Sequence, residues 1–203
     1  TRSIGPVEIT SFNKEEIHQN AFYMPDAQAA VKAGEYLEEC MKNQDSAGGV
    51  IECRITGTPA GLGEPVFDKL SALLAHALMS IGAVKAVEIG DGIAVTSSNG
   101  STDNDGFTVK DGEIIKTSNH AGGIMGGISD GSEIILRAHI KPTPSISQPQ
   151  QTVTKDKERD GDQPRLLKHD MASQHDGADA GNAAQQNVND VQRQREQYRI
   201  PNP

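Results

Sequence analysis

NHAGGIMGGISDGSEIILRAHIKPTPSIS, at residues 119–147, is the stretch of sequence that decides the fold of this chain. It contains a run of glycines and then an apolar segment at residues 134–140, which predicts a β-strand. The pentapeptide after that segment is Lys141-Pro142-Thr143-Pro144-Ser145. Its lysine offers a positive charge, its hydroxyls offer donors, and its prolines stiffen the backbone. The stretch favours a site for an anionic cofactor, although a strand with a stiff exit would explain the same residues.

The glycine run places four glycines within six positions, at residues 122–127. Such a run is costly for folding unless the structure uses it. A flexible surface loop is one interpretation, but the apolar Ile124, Met125 and Ile128 favour a packed segment. His120, just before the run, is a candidate acid–base group. A lone histidine is more often a hydrogen-bonded structural residue, so both interpretations stay open.

Upstream of this stretch, the sequence predicts two helices with a strand between them. Pro25-Asp26 is typical of a helix start and predicts a helix over residues 27–42. Residues 50–56 alternate apolar and polar side chains, which predicts a half-buried strand. Pro65 predicts the start of a second helix, which continues to Ile81 with a wide apolar face and ends at Gly82.

Several shorter elements follow from local patterns. Residues 4–9, 83–89 and 93–96 predict strands, and Asp111-Gly112 predicts the turn of a hairpin between residues 107–109 and 113–116. The polar residues 97–105 predict a mobile excursion. Because the chain starts without Met, in what resembles a strand already under way, we expect its first residue to be an internal point of a longer protein.

Composition narrows the class of protein. The chain has 203 residues and a formal net charge of -9, which argues against binding to nucleic acid. It contains no apolar run long enough to cross a membrane, so we expect a cytoplasmic protein. Its two cysteines, Cys40 and Cys53, have no spacing suited to zinc, and we expect both to be reduced, packed thiols.

The pattern divides the chain into two parts. Residues 1–150 carry all the predicted elements and form one expected domain. Residues 151–203 are a low-complexity tail rich in polar and charged side chains. Such a tail buries too little apolar surface to offset the entropy lost on ordering, so we expect it to be disordered or to form only a weak helix near residues 188–198.

Three segments, taken together, resemble consecutive blocks of chorismate synthase. They are GLGEPVFDKLSALLAHALMSIGAVKAVEIGDG at residues 61–92, NHAGGIMGGISDG at residues 119–131 and IKPTPSIS at residues 140–147. The resemblance covers roughly residues 25–154. It implies an α+β fold, a fragment of that family's β-α-β sandwich, and a homotetramer.

The resemblance also implies a chemistry. Members of this family are carbon–oxygen lyases that eliminate phosphate and a proton from 5-enolpyruvylshikimate 3-phosphate to give chorismate. They need reduced FMN but show no net redox change, and some members reduce the flavin with NADPH. Carried over to this chain, the family's FMN contacts fall on Gly82, Ala83, Gly126, Lys141, Pro142, Thr143, Pro144 and Ser145.

Other parts of the family pattern are missing from the sequence. These are an N-terminal histidine-bearing part, a serine- and arginine-rich segment, and an Arg-His-Asp-Pro block. Lys168-His169-Asp170 is a possible remnant of that block, although Met171 follows it in place of proline. A reading-frame slip after Thr154 would explain the loss of pattern, and the nucleotide sequence would test this. We therefore predict that no catalytic residue of the family lies in this chain.

Three functions remain open from the sequence. The first is a fragment of chorismate synthase, an FMN-dependent lyase by descent. The second is a catalytically silent fragment that acts only as a flavin-binding or assembly module. The third is a flavin- or nucleotide-phosphate-binding protein of another class, which a titration comparing FMN with adenine nucleotides would separate from the first two.

Overall fold

A computed structural model describes residues 1–153 and 159–160 of the chain. In chain order the elements are β1 (Ser3–Ile4), β2 (Val7–Glu8), α1 (Ala27–Lys42), β3 (Gly49–Ile55), α2 (Leu70–Met79), β4 (Val84–Ile89), α3 (Gly100–Asp103), β5 (Phe107–Lys110), β6 (Glu113–Lys116), β7 (Ile124–Met125), β8 (Ile128–Ser129), β9 (Ile134–Ile140), β10 (Thr152–Val153) and β11 (Arg159–Asp160). Two 3-10 helices, Lys14–His18 and Gly92–Ser97, complete the set. The α+β class predicted from sequence is confirmed.

Residues 1–146 form one compact unit. In the second unit, from residue 147 onward, β10 pairs with β11. The predicted boundary at residue 150 stays a prediction. Most of the predicted disordered tail, including Lys168-His169-Asp170, lies outside the described residues.

The main sheet has five strands in the order β2-β1-β3-β9-β4, and every neighbouring pair is antiparallel. β9 lies between β3 and β4, so that Ile140 is opposite both Gly49 and Val84. The register with β4 shifts between Val84 and Ala86, which leaves Lys85 as an extra residue at a bulge. The predicted strand at residues 134–140 is confirmed and forms the centre of the fold.

Helix α1 spans the predicted residues and begins after Asp26. The Asp26 carboxylate accepts hydrogen bonds from the amides of Ala29 (3.0 Å), Thr10 (2.9 Å) and Ser11 (3.1 Å). These bonds hold the pKa of Asp26 well below its usual range, and the bond from the Ala29 amide has the largest effect. The buried alanines of α1 pack against Met24 and form one of two apolar clusters in the described part of the chain.

Helix α2 begins later than predicted. Pro65 is not in the helix, because Val66 has a φ of +70°, which no helical residue adopts. The first helical amide, Leu70 N, donates to the carbonyl of Gly127 at 2.7 Å. A contact from a distant part of the chain therefore sets this helix start.

One side of α2 packs on β9, but the same face of the neighbouring strand β3 leaves apolar side chains exposed. Leu70, Leu74 and Leu78 contact the cluster built from Ile124, Ile134 and Leu136. On the same face of the sheet, the next strand exposes Ile51 (49%), Cys53 and Ile55 (36%). The prediction of a packed thiol is therefore right for the buried Cys40 and wrong for Cys53.

Three short predictions also differ from the structure. Residues 4–9 form the β1–β2 hairpin around Gly5, whose φ is +53°, and not one strand. Residues 93–96 lie in a 3-10 helix, where Ala94 N donates to Asp91 O at 3.2 Å. The excursion at residues 97–105 contains α3. The predicted hairpin is confirmed as β5–β6, and both residues of its Asp111-Gly112 turn have positive φ.

Candidate functional site

The register of β4 against β9 brings two of the predicted cofactor-binding segments together. The amide of Lys141, just after β9, donates to the carbonyl of Ala83 at 3.0 Å. Gly82 and Ala83 therefore lie beside Lys141, the first residue of the pentapeptide, at one corner of the sheet. The Ser46 hydroxyl donates to the carbonyl of Thr143 at 2.7 Å and ties the exposed pentapeptide to the turn after α1.

Gly82 is a glycine that the described fold does not require. Its φ lies outside the left-handed region, and a Cβ built on it meets no atom within 4 Å. The next residue, Ala83, has a φ of +70°, where glycine would be less strained. Open space beside Gly82 is what a site needs if a ligand lies against the backbone there.

A hollow of about 290 Å³ lies next to this corner, on the strands β3, β9 and β4. Lys85, His139 and Lys141 line it together with backbone from Gly5 and Gly49. Within the part of the chain that the structure describes, neither lysine forms an ion pair within 4.0 Å. The β-bulge places Lys85 here, although it is not among the predicted cofactor contacts.

Gly126, the remaining predicted contact, lies elsewhere in this chain. It is in the turn between β7 and β8, and the adjacent Gly127 contacts Lys69 and Leu70 at the start of α2. The start of α2 lies near the Ile134 end of β9, whereas the corner lies at the Ile140 end. The seven residues of β9 separate the two ends by about 20 Å. The structure therefore brings Ala83 and Lys141 together and leaves Gly126 at the other end of β9, while the role of the predicted residues in binding a cofactor stays a prediction.

The glycine run joins the turn after β4 and creates a close carboxylate–imidazole pair. His120 Nδ1 lies 2.6 Å from Asp91 Oδ2, while Asp91 N donates to His120 O at 2.9 Å. A Cβ on Gly90 would clash with His120 O, and one on Gly122 would clash with Gly90 N. Glycines at both places let the loops meet, and the hydrogen bond that the Asp91 carboxylate accepts from the imidazole raises the pKa of His120.

We predict that Asp91→Asn lowers the pKa of His120 toward its ordinary value of about 6.5. The pKa of His120 is raised in the folded state. The Asp91–His120 pair therefore stabilises the fold below about pH 6.5, and this stabilisation is lost as pH rises through the folded-state pKa. Titration of the imidazole signals by NMR measures this shift. Asp45→Asn, at an exposed aspartate, is the control, and an unchanged His120 pKa in Asp91→Asn would contradict the prediction.

A buried charge network lies beneath the same loop, and no sequence pattern predicts it. Lys116 Nζ lies 2.8 Å from carboxylate oxygens of both Asp105 and Asp130. The side chains of Lys116 and Asp105 are 7% and 2% exposed. Burial, the largest single effect, would raise the carboxylate pKa values. Hydrogen bonds from Lys116 and from neighbouring hydroxyl and amide groups together outweigh it, so the pKa values of Asp105 and Asp130 are lowered.

A second polar network covers the face of β9 opposite α2. Arg137 Nε donates to Glu52 at 2.8 Å, and its Nη1 donates to the carbonyl of Gly90 at 2.6 Å. Arg54 Nε donates to Glu52 at 2.7 Å and Arg54 lies 3.0 Å from Glu133. These contacts link β3 and β9 to the turn after β4, next to the loop of His120.

The profile of the family described as "Chorismate synthase" matches residues 1–183. The chain belongs to the chorismate synthase family. This span begins earlier and ends later than the resemblance at residues 25–154, and it includes Lys168-His169-Asp170, where the structure does not describe the chain.

Curated relatives agree with this assignment. The chain is 57% identical over 157 residues to chorismate synthase of Agathobacter rectalis and 58% identical over 158 residues to that of Lachnoclostridium phytofermentans. It is 49% identical over 154 residues to the enzyme of Methanosarcina mazei. These matches cover 76%, 76% and 74% of this chain and 43%, 43% and 42% of the relatives. The chain thus spans less than half the length of these relatives.

The fold agrees as well. A solved structure titled "Crystal Structure of Chorismate Synthase" superposes with a TM-score of 0.65 at 29% sequence identity, covering 70% of this chain and 48% of that one. Among the described residues, none of the helices is both long enough and apolar enough for a membrane span.

Proposed function

We propose that this chain forms the flavin-binding part of a chorismate synthase, which eliminates phosphate from 5-enolpyruvylshikimate 3-phosphate to give chorismate. One observation carries the proposal: the bond between Lys141 N and Ala83 O joins two segments that the family resemblance assigns to FMN. Family membership over residues 1–183 supports it.

The residues at this corner fit an FMN molecule. The open space at Gly82 would admit a planar ring against the backbone, and the Lys141 ammonium suits a phosphate or another anionic group. When bound, reduced FMN supplies transient electron donation as phosphate leaves. The chain's own part is to orient the cofactor through Lys141, Thr143 and Ser145 and to exclude water from one side of it.

The assembly and surroundings are part of the same proposal. We propose a homotetramer, a cytoplasmic location and, as in some family members, flavin reduction by NADPH. The exposed apolar residues Ile51, Cys53 and Ile55 support assembly, because a surface of this kind is normally covered in a stable protein.

We predict that Gly82→Ala weakens binding of reduced FMN by about ten-fold or more, because the new methyl group occupies the space that the ligand needs. The fold should be unaffected, since the site is open and its φ is ordinary. Anaerobic calorimetry measures the affinity, and ATP replaces FMN in a parallel titration.

Gly100→Ala is the matched control, because Gly100 is also open and has an ordinary φ. Equal affinity for FMN in both variants and the unmodified chain would remove the corner from the flavin site. Tighter binding of ATP than of FMN would favour a nucleotide-binding protein of another class.

We predict that the chain alone has negligible chorismate synthase activity. Catalysis needs several proton-transfer and substrate-binding groups placed together, and this chain matches only 43% of the length of active relatives. Chorismate formation with reduced FMN, compared with a full-length relative, measures this. Flavin binding without turnover fits a catalytically silent flavin-binding module, whereas turnover by the chain alone would refute the prediction.

A further inference from the structure

A cavity of about 450 Å³ lies at the opposite end of the sheet from the corner formed by Gly82, Ala83 and Lys141. Thr56 and Glu133 mark its position beyond the Ile55–Ile134 pair, whereas Lys141 follows the Gly49–Ile140 pair. Cavities of roughly 300–1,000 Å³ are typical of sites for small organic ligands. This cavity is therefore large enough for a ligand, and it is separate from the proposed cofactor site.

A rigid segment forms one wall of the cavity. Asn20 Nδ2 donates to the carbonyls of Glu16 (2.9 Å) and Met24 (2.8 Å), and its Oδ1 accepts from the amides of Phe22 and Met24, both at 3.1 Å. Asp26 fixes the other end of the segment through Thr10. A wall held in this way loses little freedom when a ligand binds.

This segment presents aromatic side chains to the cavity. Phe12 and Tyr23 line it and are 52% and 59% exposed, together with Ile9 and Ile17. Tyr23 has a φ of +54°, an uncommon conformation for a bulky residue. Such strain persists only where the surroundings enforce it, and it is concentrated at binding sites.

The charges around the cavity favour an anion. Arg2, Lys14 and Arg54 line it against two carboxylates, Glu52 and Glu133, although the whole chain carries a formal charge of -9. Glu52 and Glu133 already hold Arg54, whose guanidinium lies 5.0 Å from the centre of the Phe12 ring.

Of the basic side chains that line the described part of this cavity, Lys14 is the one without a carboxylate partner. It is exposed, and it forms no ion pair within 4.0 Å in the described part of the chain.

We propose that this cavity binds a small planar aromatic carboxylate, with its ring against Phe12 and Tyr23 and its carboxylate on Lys14. The aromatic walls account for a planar ring, because stacked and edge-on ring contacts add to the gain from burial. Lys14, which has no carboxylate partner in the described part of the chain, favours a ligand with one negative charge.

The test is a binding titration of the full chain with three probes. Amide NMR signals and calorimetry measure the binding. The probes are trans-cinnamate, the uncharged cinnamyl alcohol and the saturated cyclohexanecarboxylate. Cinnamate should shift the amide signals of residues 9–25. Phe12→Ala should weaken it roughly ten-fold, and Lys14→Ala about three-fold, with the loss reduced at high salt.

Matched controls are available on β5, because Phe107 is 58% exposed and Lys110 is exposed. Phe107→Ala and Lys110→Ala should bind cinnamate as the unmodified chain does. Binding of cinnamyl alcohol or cyclohexanecarboxylate as tight as that of cinnamate would overturn the proposal. So would unchanged affinity in Phe12→Ala and Lys14→Ala, or displacement of cinnamate by FMN. Flavin binding at the corner could fail without affecting these results.

Discussion

Replacing Lys116 with methionine is expected to lower the free energy of unfolding by about 3–5 kcal/mol. The Lys116 side chain is 7% exposed and its ammonium lies 2.8 Å from both Asp105 and Asp130, so its removal leaves two largely buried carboxylates without their counter-ion. Asp105 also holds the loop, because it accepts the amides of His120 (2.7 Å) and Ala121 (3.1 Å). Urea unfolding followed by circular dichroism measures the loss.

The control is Lys110→Met, at an exposed lysine of the same hairpin, which should change stability by less than about 0.5 kcal/mol. The triple variant Lys116→Met, Asp105→Asn, Asp130→Asn should recover part of the loss, since it removes the unpaired charges. A loss no larger than that of Lys110→Met would show that the network does not stabilise the fold.

The same network fixes the sign of the pH dependence. The folded-state pKa values of Asp105 and Asp130 are lowered, so their stabilisation is present above the unfolded value of about 3.9 and is lost as pH falls. The pKa of Lys116 is raised, so its stabilisation is lost only as pH rises beyond about 10.4. The difference in free energy of unfolding between the unmodified chain and Lys116→Met should therefore be largest near neutral pH and become smaller below about pH 4.

Replacing Gly90 with alanine is expected to cost about 3 kcal/mol or more. Its φ is +60°, and a Cβ there would collide with the backbone of His120 and Gly122. Backbone atoms cannot turn aside as a long side chain can, so the loops must separate and the Asp91–His120 pair must open. Thermal unfolding measures the cost, and NMR signals of His120 report the opening of the pair.

Gly57→Ala is the matched control, because Gly57 has a φ of +78° but no atom within 4 Å of a built Cβ. It should cost only the left-handed backbone penalty of about 1–2 kcal/mol. Equal losses in the two variants would mean that the close approach of the two loops does not matter for stability.

The elements predicted correctly from sequence are those whose signals are local. Asp26 caps α1 from the adjacent position, and Asp111-Gly112 specifies its own hairpin turn. The start of α2 was missed because it depends on the carbonyl of Gly127, which is far away in the chain. The exposure of Cys53 was missed because an apolar alternation does not say whether anything covers that face.

The candidate site shows the same limit. The family resemblance identified Gly82 and Lys141, but only the register of β4 on β9 places them side by side. Lys85 joins them through a bulge, which has no sequence signal of its own. Lys116, Asp105 and Asp130 come from separate segments, and nothing in their spacing predicts a buried ion network.

The order of the strands has a consequence for how the chain emerges from the ribosome. β3 and β4 are made first, but neither pairs with the other, because the strand between them ends only at Ile140. Until then both have open edges, which are prone to join other chains. Completion of the sheet must await β9, and pairing over such long sequence separations is intrinsically slow. Any nascent chain stopped before residue 134 would keep its edges unpaired.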